Sequence, residues 1–194
     1  MARVYGIKKR LESRNTDPKI VKELIGDGNL INIINRMEKS LEPDIMHQIL
    51  SSCACLGGRK YLKHCEDIGK EIAGKTLTEK IDYINKNADT EFEKTMLNST
   101  NTLTMSLFWK DNDKYKCYCS AAVKNGIKVS DLTLENNDSD DHVMPLSYCF
   151  CCAGSMLIHL QLKLDIKLKT KEIVSSPINS KGKKPCEIAF EIIS

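Results

Sequence analysis

The sequence has little net charge and no long apolar segment, and both absences exclude classes of function. Its 194 residues carry 29 Lys and Arg against 26 Asp and Glu, which gives a formal net charge of +3. No segment concentrates this excess, so the charge pattern gives no indication of a nucleic-acid partner. The longest stretch without acidic or basic residues, 143–162, contains proline and several polar residues. Its unbroken apolar part is too short to span a bilayer.

The start of the sequence also lacks the features of a secretory signal. Residues 1–13 contain neither an apolar stretch nor a cleavage site. This predicts a cytoplasmic protein whose thiols stay reduced. Hydrophobic residues at 41% and charged residues at 28% are typical of an ordinary folded protein. The length favours a single domain over residues 1–194.

Cysteine, by contrast, is abundant. The chain has nine cysteines, an odd number. In a reducing compartment such residues serve as metal ligands, redox groups, nucleophiles or small buried side chains more often than as structural disulfides. They fall into three groups and one isolated residue: Cys53, Cys55 and Cys65; Cys117 and Cys119; Cys149, Cys151 and Cys152; and Cys186.

The hydrophobic periodicity predicts an α+β fold with a helical first half, residues 1–97. Asp17 before Pro18 marks one helix start, and the capping box of Thr76 and Glu79 marks another. In residues 98–194 the hydrophobic pattern changes to an alternation of period two. This alternation predicts a hairpin of 102–109 with 115–123. The polar composition of residues 124–141 predicts a loop.

The last third of the chain predicts a buried helix and two strands. Apolar residues between Leu146 and Leu164 keep helical spacing, which predicts a buried helix. Between residues 166 and 172, lysines alternate with other residues, which is typical of a strand. A turn at 175–185 precedes a predicted final strand at 186–193. We therefore expect the helical half to pack on an antiparallel sheet, with the 146–164 helix against that sheet.

The cysteine groups differ in the chemistry that they predict. Cys117 and Cys119 would share one face of a strand, but no third ligand is near in sequence, so we interpret them as sheet core. Cys53, Cys55 and Cys65 surround a helix end at Gly57–Gly58. That position suits a metal ligand or a nucleophile whose pKa a helix terminus lowers, with Cys53 and Cys65 as catalytic candidates.

The third group gives the sharpest metal pattern. Cys149 and Cys152 are three residues apart on one helical face, and His159 follows on the same side. Soft divalent ions prefer thiolate and imidazole ligands, and zinc usually takes four. The spacing matches no zinc finger or ribbon. The types of ligand favour zinc over an iron–sulfur cluster. His159 also fits the alternative of a core histidine with a hydrogen-bond partner.

The segment from Tyr148 to Ile193 resembles the 4-vinyl reductase domain, a small ligand-binding domain related to the haem nitric-oxide-binding fold. That family shows a Cys at the start of a Gly-containing helix, a strand with Glu-x-x-Cys, a glycine turn, and a Cys that begins the last strand. The matching residues here are Cys149, Gly154, Glu172, Gly182 and Cys186. The resemblance implies a zinc site at Cys149, Glu172 and Cys186.

The sequence departs from that family pattern at one ligand. Ser175 stands where the second cysteine of Glu-x-x-Cys belongs, and a thiol from elsewhere would have to replace it. The resulting candidate metal ligands are Cys53, Cys55, Cys65, Cys149, Cys151, Cys152, Glu172 and Cys186. The chain is also similar in size and cysteine placement to the aminothiazoline-carboxylate hydrolase family, and a cysteine-rich bacterial family related to either would fit equally well.

These observations predict a sensor-like protein that binds a small ligand or a metal. Its cysteine-lined site would lie between the N-terminal helices and the helix of Cys149–Cys152. Two alternatives stay open. One is a thiol- or metal-dependent hydrolase of a small amide or cyclic sulfur compound, and the other is a scaffold that forms a homodimer without a ligand. Neither a nucleic-acid partner nor a membrane partner is expected.

Overall fold

The first half of the chain is helical, as the periodicity predicts. The computed structural model describes residues 2–117, 119 and 144–193. Up to residue 92 these form six helices: α1 (Ala2–Ser13), α2 (Pro18–Ile25), α3 (Leu30–Ser40), α4 (Pro43–Ser52), α5 (Arg59–Glu71) and α6 (Leu77–Lys86). The helical half of the predicted α+β fold is thereby confirmed.

The described residues after 92 form a sheet, a ribbon and a seventh helix. In chain order these are β1 (Glu93–Ser99), β2 (Thr102–Leu107), β3 (Lys110–Asp111), β4 (Lys114–Tyr115), a 3₁₀ turn (Leu146–Cys149), α7 (Phe150–Leu164), β5 (Lys167–Ser175) and β6 (Cys186–Ile193). The sheet is antiparallel in the order β1-β2-β6-β5, and β3 pairs with β4 in a separate ribbon. The antiparallel sheet of the prediction is confirmed.

The predicted hairpin of 102–109 with 115–123 has the wrong pairing. Strand β2 pairs with β1 on one side and β6 on the other. The turn at Asn112 and Asp113, where φ is 49° and 63°, closes the short β3–β4 ribbon, and beyond it the Lys116 N–H donates to the Trp109 carbonyl oxygen at 2.9 Å. The hydrophobic pattern does not predict β1, because Thr95 is the buried residue of this edge strand and most of the others are exposed. Residue 118 and residues 120–123 of the predicted second strand, and the predicted loop at 124–141, lie outside the described residues.

Two predicted helix starts are confirmed by their hydrogen bonds. The side chain of Asp17 accepts a hydrogen bond from the Lys19 backbone N–H at 2.7 Å. At α6, the Thr76 hydroxyl accepts from the Glu79 N–H at 3.4 Å, while the Glu79 carboxylate accepts from the Thr76 N–H at 2.8 Å. These side chains satisfy N–H groups that have no partner within the helix.

The capping box of α6 gives a direct test of this local structure. We expect Thr76→Ala to lower the free energy of unfolding by about 1 kcal/mol, because an N–H group at the helix start loses its acceptor. Thr78→Ala is the matched control, since Thr78 is an exposed threonine inside the same helix. Urea unfolding of both variants measures the difference. Equal stability of the two variants would contradict the capping role.

Helix α7 lies between the sheet and the other helices. Every residue from 146 to 164 is buried or half-buried, which confirms the predicted buried helix. Two glycines permit close packing here: a Cβ at Gly154 would lie 2.5 Å from the Ser51 carbonyl oxygen of α4, and one at Gly69 of α5 would overlap the Leu162 carbonyl oxygen. None of the described helices is both long enough and apolar enough to cross a membrane.

Candidate functional site

Cysteines from three parts of the chain meet near the start of α7. Cys149 ends the 3₁₀ turn and Cys152 lies in the first turn of α7, whereas Cys186 opens β6 and both Cys117 and Cys119 follow β4. Their side chains are close enough to influence one another's ionisation. We term these five residues the thiol cluster.

The sheet register explains how Cys186 reaches this place. Cys186 pairs with Leu107 on β2 and shares the sheet face of Ile188 and Phe190, since alternate residues of a strand point to the same side. Ile188 and Phe190 belong to the apolar cluster that includes residues of α7. The first residue of β6 is thereby directed toward the layer in which α7 begins.

Hydrogen bonds link the thiol cluster internally and to its surroundings. The Cys119 backbone N–H donates to the Cys117 sulfur at 3.4 Å, and the Cys119 sulfur lies 3.6 Å from the hydroxyl oxygen of Tyr148. These two contacts fix the position of Cys119 relative to Cys117 and Tyr148.

The surroundings of these thiols disfavour bare thiolates. Burial raises the pKa of Cys117 to about 12 and that of Cys149 to about 11, and it raises the pKa of Cys186 well above its usual value. For Cys152 the hydrogen bond with Cys119 is the largest cause of a raised pKa, followed by burial. The four thiols therefore stay protonated at neutral pH unless a cation compensates their negative charge.

The sequence predicts Cys117 and Cys119 as core residues of a long strand. Both pack in an apolar core, but they follow the two-residue strand β4 outside regular secondary structure. Cys117 is nevertheless buried. Their C-x-C spacing was the available signal, and only the tertiary fold supplies the further thiols beside it.

The thiol cluster is a set of neighbouring donors rather than a finished coordination shell. Among residues 2–117, 119 and 144–193, no three His, Cys, Asp or Glu side chains converge in a way that would hold a metal ion. The chemistry of the donors nevertheless fits a soft metal, because soft ions prefer thiolate sulfur. Uptake of an ion would require the sulfur atoms to move closer together.

The first predicted cysteine group touches the third through the backbone. Cys53 is half-buried at the end of α4, and its carbonyl oxygen accepts a hydrogen bond from the Cys151 thiol at 3.5 Å. The Cys55 side chain is exposed, and its carbonyl oxygen accepts from the Ser155 hydroxyl at 2.6 Å. These contacts join the end of α4 and the residues after it to α7.

Cys65 lies elsewhere, beside a network of charged side chains. There the Asp89 carboxylate accepts a hydrogen bond from the Tyr61 hydroxyl at 2.7 Å and one from the Lys163 ammonium at 3.1 Å. Lys163 also lies 3.7 Å from a carboxylate oxygen of Glu93. Burial raises the pKa of the Cys65 thiol, which opposes its predicted role as a nucleophile.

The structure does not bring Glu172 together with Cys149 and Cys186. Glu172 is exposed and pairs with Ala189, so it lies on the sheet face opposite to Cys186. Ser175 lies on that same opposite face, where its hydroxyl donates to the Glu187 carboxylate at 3.2 Å. The ligand set implied by the family resemblance is therefore divided between the two faces of the sheet.

His159 is held by two structural contacts. Its Nε2 lies 3.3 Å from the Leu56 carbonyl oxygen, and its ring meets the Tyr61 ring edge-on with centroids 4.7 Å apart. Burial lowers the pKa of His159, so the neutral form is favoured. These contacts agree with a hydrogen-bonded core histidine.

Comparison with known proteins leaves the function to be argued from this geometry. No protein-family model, characterised protein or solved structure matches the chain. The resemblance of residues 148–193 to the 4-vinyl reductase domain stays a prediction. The thiol cluster is the feature from which a function can be argued.

Proposed function

We propose that this chain is a metal-binding protein whose thiol cluster takes up a soft ion such as zinc. The observation that carries the proposal is that five cysteines from three separate segments lie near enough to one another, around the start of α7, to affect one another's ionisation. A single buried cysteine needs no function, because it packs as a small apolar residue. Five neighbouring cysteines are harder to explain by packing, since Ala, Val or Ser would fill the space without the risk of oxidation.

A bound cation would also remove an electrostatic cost. Burial and neighbouring thiols together oppose ionisation within the cluster. A divalent ion reverses this balance because it binds the thiolate form directly and releases the proton. The proximity of the thiols, which opposes their ionisation in the absence of metal, would then provide several ligands for one ion.

The cluster contains more sulfur donors than zinc uses. Zinc normally takes four ligands in a structural site, and Cys117, Cys119, Cys149, Cys152 and Cys186 offer five. Cys117 and Cys119 lie outside helices and strands, so their sulfur atoms can move toward the other thiols without breaking helix or sheet hydrogen bonds. Cys149, Cys152 and Cys186 lie in or beside regular elements and would form the fixed side of the site.

This ligand set differs from the one that the sequence predicts. It retains Cys149, Cys152 and Cys186 and adds Cys117 and Cys119. Cys151 also lies near Cys117, but its thiol donates to the Cys53 carbonyl oxygen, so it is not counted among the proposed ligands. Cys65 lies beside the charged network, and Glu172 lies on the opposite face of the sheet. The proposed ligand set therefore leaves out Cys53, Cys55, Cys65 and Glu172.

A groove elsewhere on the molecule gives less support to a small-ligand function. It lies between α1 and α2, where Lys8, Glu12, Val21 and Ile25 are among the residues that line it. None of these residues belongs to the thiol cluster. A hydrolase and a homodimeric scaffold likewise have no specific contact in the described residues that favours them over metal binding.

Metal content of the purified protein tests the proposal. We expect the full chain, purified reduced and without oxygen, to hold about one zinc ion per chain by elemental analysis. The double variant Cys117→Ser/Cys149→Ser should lower that content strongly, because serine is a poor zinc ligand and only three of the five thiols remain. Cys55→Ser and Cys65→Ser are the controls, for an exposed and a buried thiol outside the cluster, and should leave it unchanged.

Two results would overturn the proposal. One is a reduced wild-type protein that neither contains zinc nor takes it up when zinc is added. The other is a zinc content that responds equally to the substitutions inside and outside the cluster. Far-UV circular dichroism of each variant distinguishes loss of a ligand from loss of the fold.

A further inference from the structure

We propose that two adjoining lysine-rich segments form a binding surface for single-stranded nucleic acid. One segment is the β3–β4 ribbon with its flanking residues, 109–116, and the other is the turn between β5 and β6, residues 176–185. The surface consists of one tryptophan and five lysines: Trp109, Lys110, Lys114, Lys181, Lys183 and Lys184. We term it the lysine surface. It shares no residue with the thiol cluster, so the inference is independent of the proposed function.

A backbone hydrogen bond joins the two segments. The Tyr115 N–H of β4 donates to the Gly182 carbonyl oxygen at 2.9 Å. The approach is close, because a Cβ built at Gly182 would lie 3.1 Å from the Cβ of Lys114. Tyr115 also positions a second lysine, since the Lys110 ammonium lies 4.6 Å from the centroid of its ring. Lysines that are far apart in the sequence are therefore neighbours in the fold.

The two segments carry the positive charge of the chain. Residues 109–116 and 181–184 contain six lysines and two aspartates, an excess of four positive charges, while the formal net charge of the whole chain is +3. The sixth lysine, Lys116, pairs with Asp111 at 3.4 Å. Within the part of the chain that the structure describes, the five lysines of the lysine surface form no ion pair. No single segment shows this concentration of charge, which is why the sequence predicts no nucleic-acid partner.

The turn between β5 and β6 holds its lysines on an ordered backbone. The Gly182 N–H donates to the Pro177 carbonyl oxygen at 2.9 Å. Ser180 accepts two further hydrogen bonds, one at its carbonyl oxygen from the Lys183 N–H at 3.0 Å and one at its hydroxyl from the Lys184 N–H at 3.0 Å. The lysine side chains of this turn are exposed. Binding of a polyanion would therefore require little ordering of the backbone.

The residue types favour single-stranded nucleic acid over other anionic partners. The Trp109 side chain is 38% exposed, and an exposed aromatic ring beside lysines allows an unpaired base to stack while the ammonium groups neutralise phosphates. The lysine surface contains no arginine, whereas recognition of phosphopeptides and of base edges relies mainly on arginine. We therefore infer binding that does not depend on the nucleotide sequence.

A membrane surface fits these residues less well. Attachment to a membrane needs buried apolar area in addition to attraction by anionic lipids. Trp109 is the exposed large apolar side chain of residues 109–116, and residues 176–185 have none. One indole ring provides little apolar area for insertion between lipids.

Fluorescence titration of the full, reduced chain tests the inference. Trp109 is the only tryptophan in the sequence, so its emission reports on this surface. A thymidine oligonucleotide of about 12 nucleotides should quench the emission saturably. A duplex of equal length should bind more weakly, because its bases are not free to stack. The logarithm of the binding constant should fall with the logarithm of the salt concentration with a slope of about −2 to −3.5, since each neutralised phosphate contributes about −0.7.

Two triple variants separate the lysine surface from the net charge of the chain. The first is Lys181→Gln/Lys183→Gln/Lys184→Gln. The matched control is Lys167→Gln/Lys169→Gln/Lys171→Gln, which removes the same charge from three exposed lysines of β5. At low salt the first should weaken binding of a fluorescently labelled oligonucleotide more than about tenfold, and the control less than about twofold. Far-UV circular dichroism checks the fold of both.

Substitution of Trp109 tests the stacking contact separately. Trp109→Ala should weaken binding of the labelled single strand by about 5- to 100-fold, whereas Trp109→Phe should keep most of the affinity because it retains an aromatic ring. Neither variant should change the salt dependence, since the lysines are unaltered.

Four results would overturn the inference. They are a lack of saturable binding by the oligonucleotide, an equal loss of affinity in the two triple variants, tighter binding of the duplex than of the single strand, and tighter binding to vesicles of anionic phospholipid than to the oligonucleotide. The last result would identify the partner as a membrane surface instead. The zinc content of the protein has no bearing on any of these measurements.

Discussion

Replacing Lys163 with alanine should lower the free energy of unfolding by about 3–5 kcal/mol, the largest effect that we expect from one substitution. The Lys163 side chain is only 3% exposed, and its ammonium lies 3.1 Å from Asp89 and 3.7 Å from Glu93. Removing it leaves two partly buried carboxylates without their shared cation. Chemical denaturation measures the loss.

Two control variants separate charge from packing at this site. Lys163→Met keeps most of the side-chain volume, so it should retain most of the loss if the missing charge is its cause. Lys167→Ala replaces an exposed lysine at the start of β5 and should change the stability by no more than about 0.5 kcal/mol. A Lys163→Met variant as stable as the wild type would refute the electrostatic explanation.

The pH dependence of the Lys163 variants follows from the same network. Burial raises the pKa of Glu93, while the Lys163 charge lowers it. Without Lys163 the pKa of Glu93 rises further, so the folded state binds protons more readily than the unfolded state does. Folding stability of the variants therefore increases as the pH falls through this raised pKa. The destabilisation should be smaller at about pH 5 than at about pH 7.

The second large effect is expected at Gly69, where α5 packs against α7. Gly69→Ala should lower the free energy of unfolding by about 1–3 kcal/mol, because the new Cβ would overlap the backbone carbonyl of Leu162. A backbone atom cannot turn away as a flexible side chain can, so the two helices must move apart. Thermal or chemical unfolding of the variant measures this loss.

Gly74→Ala is the matched control for Gly69→Ala. No atom lies within 4 Å of a Cβ built at Gly74, so we expect no loss of stability there. Inside a helix, exchange of glycine for alanine is by itself favourable by about 1 kcal/mol. A Gly69→Ala variant that is stabilised would therefore show that α5 and α7 do not approach as closely as described.

The parts of the fold that the sequence predicts are those with local signals. Asp17 before Pro18 and the Thr76 capping box each act within one turn of a helix, so their spacing alone identifies them. The 146–164 helix combines regular apolar spacing with an absence of charge up to Lys163. Strand β1 has no such signal, because its pairing with β2 rather than its own alternation makes it a strand.

The candidate site depends on contacts that no local pattern contains. Cys117 and Cys119 come near Cys149 and Cys186 through tertiary contacts, among them the hydrogen bond from the Tyr115 N–H to the Gly182 carbonyl oxygen at 2.9 Å. The sequence therefore identifies the cysteines of α7 and β6 but excludes the pair after β4. It also misses the charged network, since the partners of Lys163 come from β1 and from the residues that precede it.

The strand order has a consequence for synthesis of the protein on the ribosome. Strand β6 is made after every other described strand, yet it occupies an inner position between β2 and β5. Until it emerges, the inner edge of β2 has no partner, and such an edge is open to pairing with other chains. Cys186 arrives at the same late moment. Until then the four other cysteines of the thiol cluster lack their fifth member, so the complete cluster can form only after β6 has taken its place in the sheet.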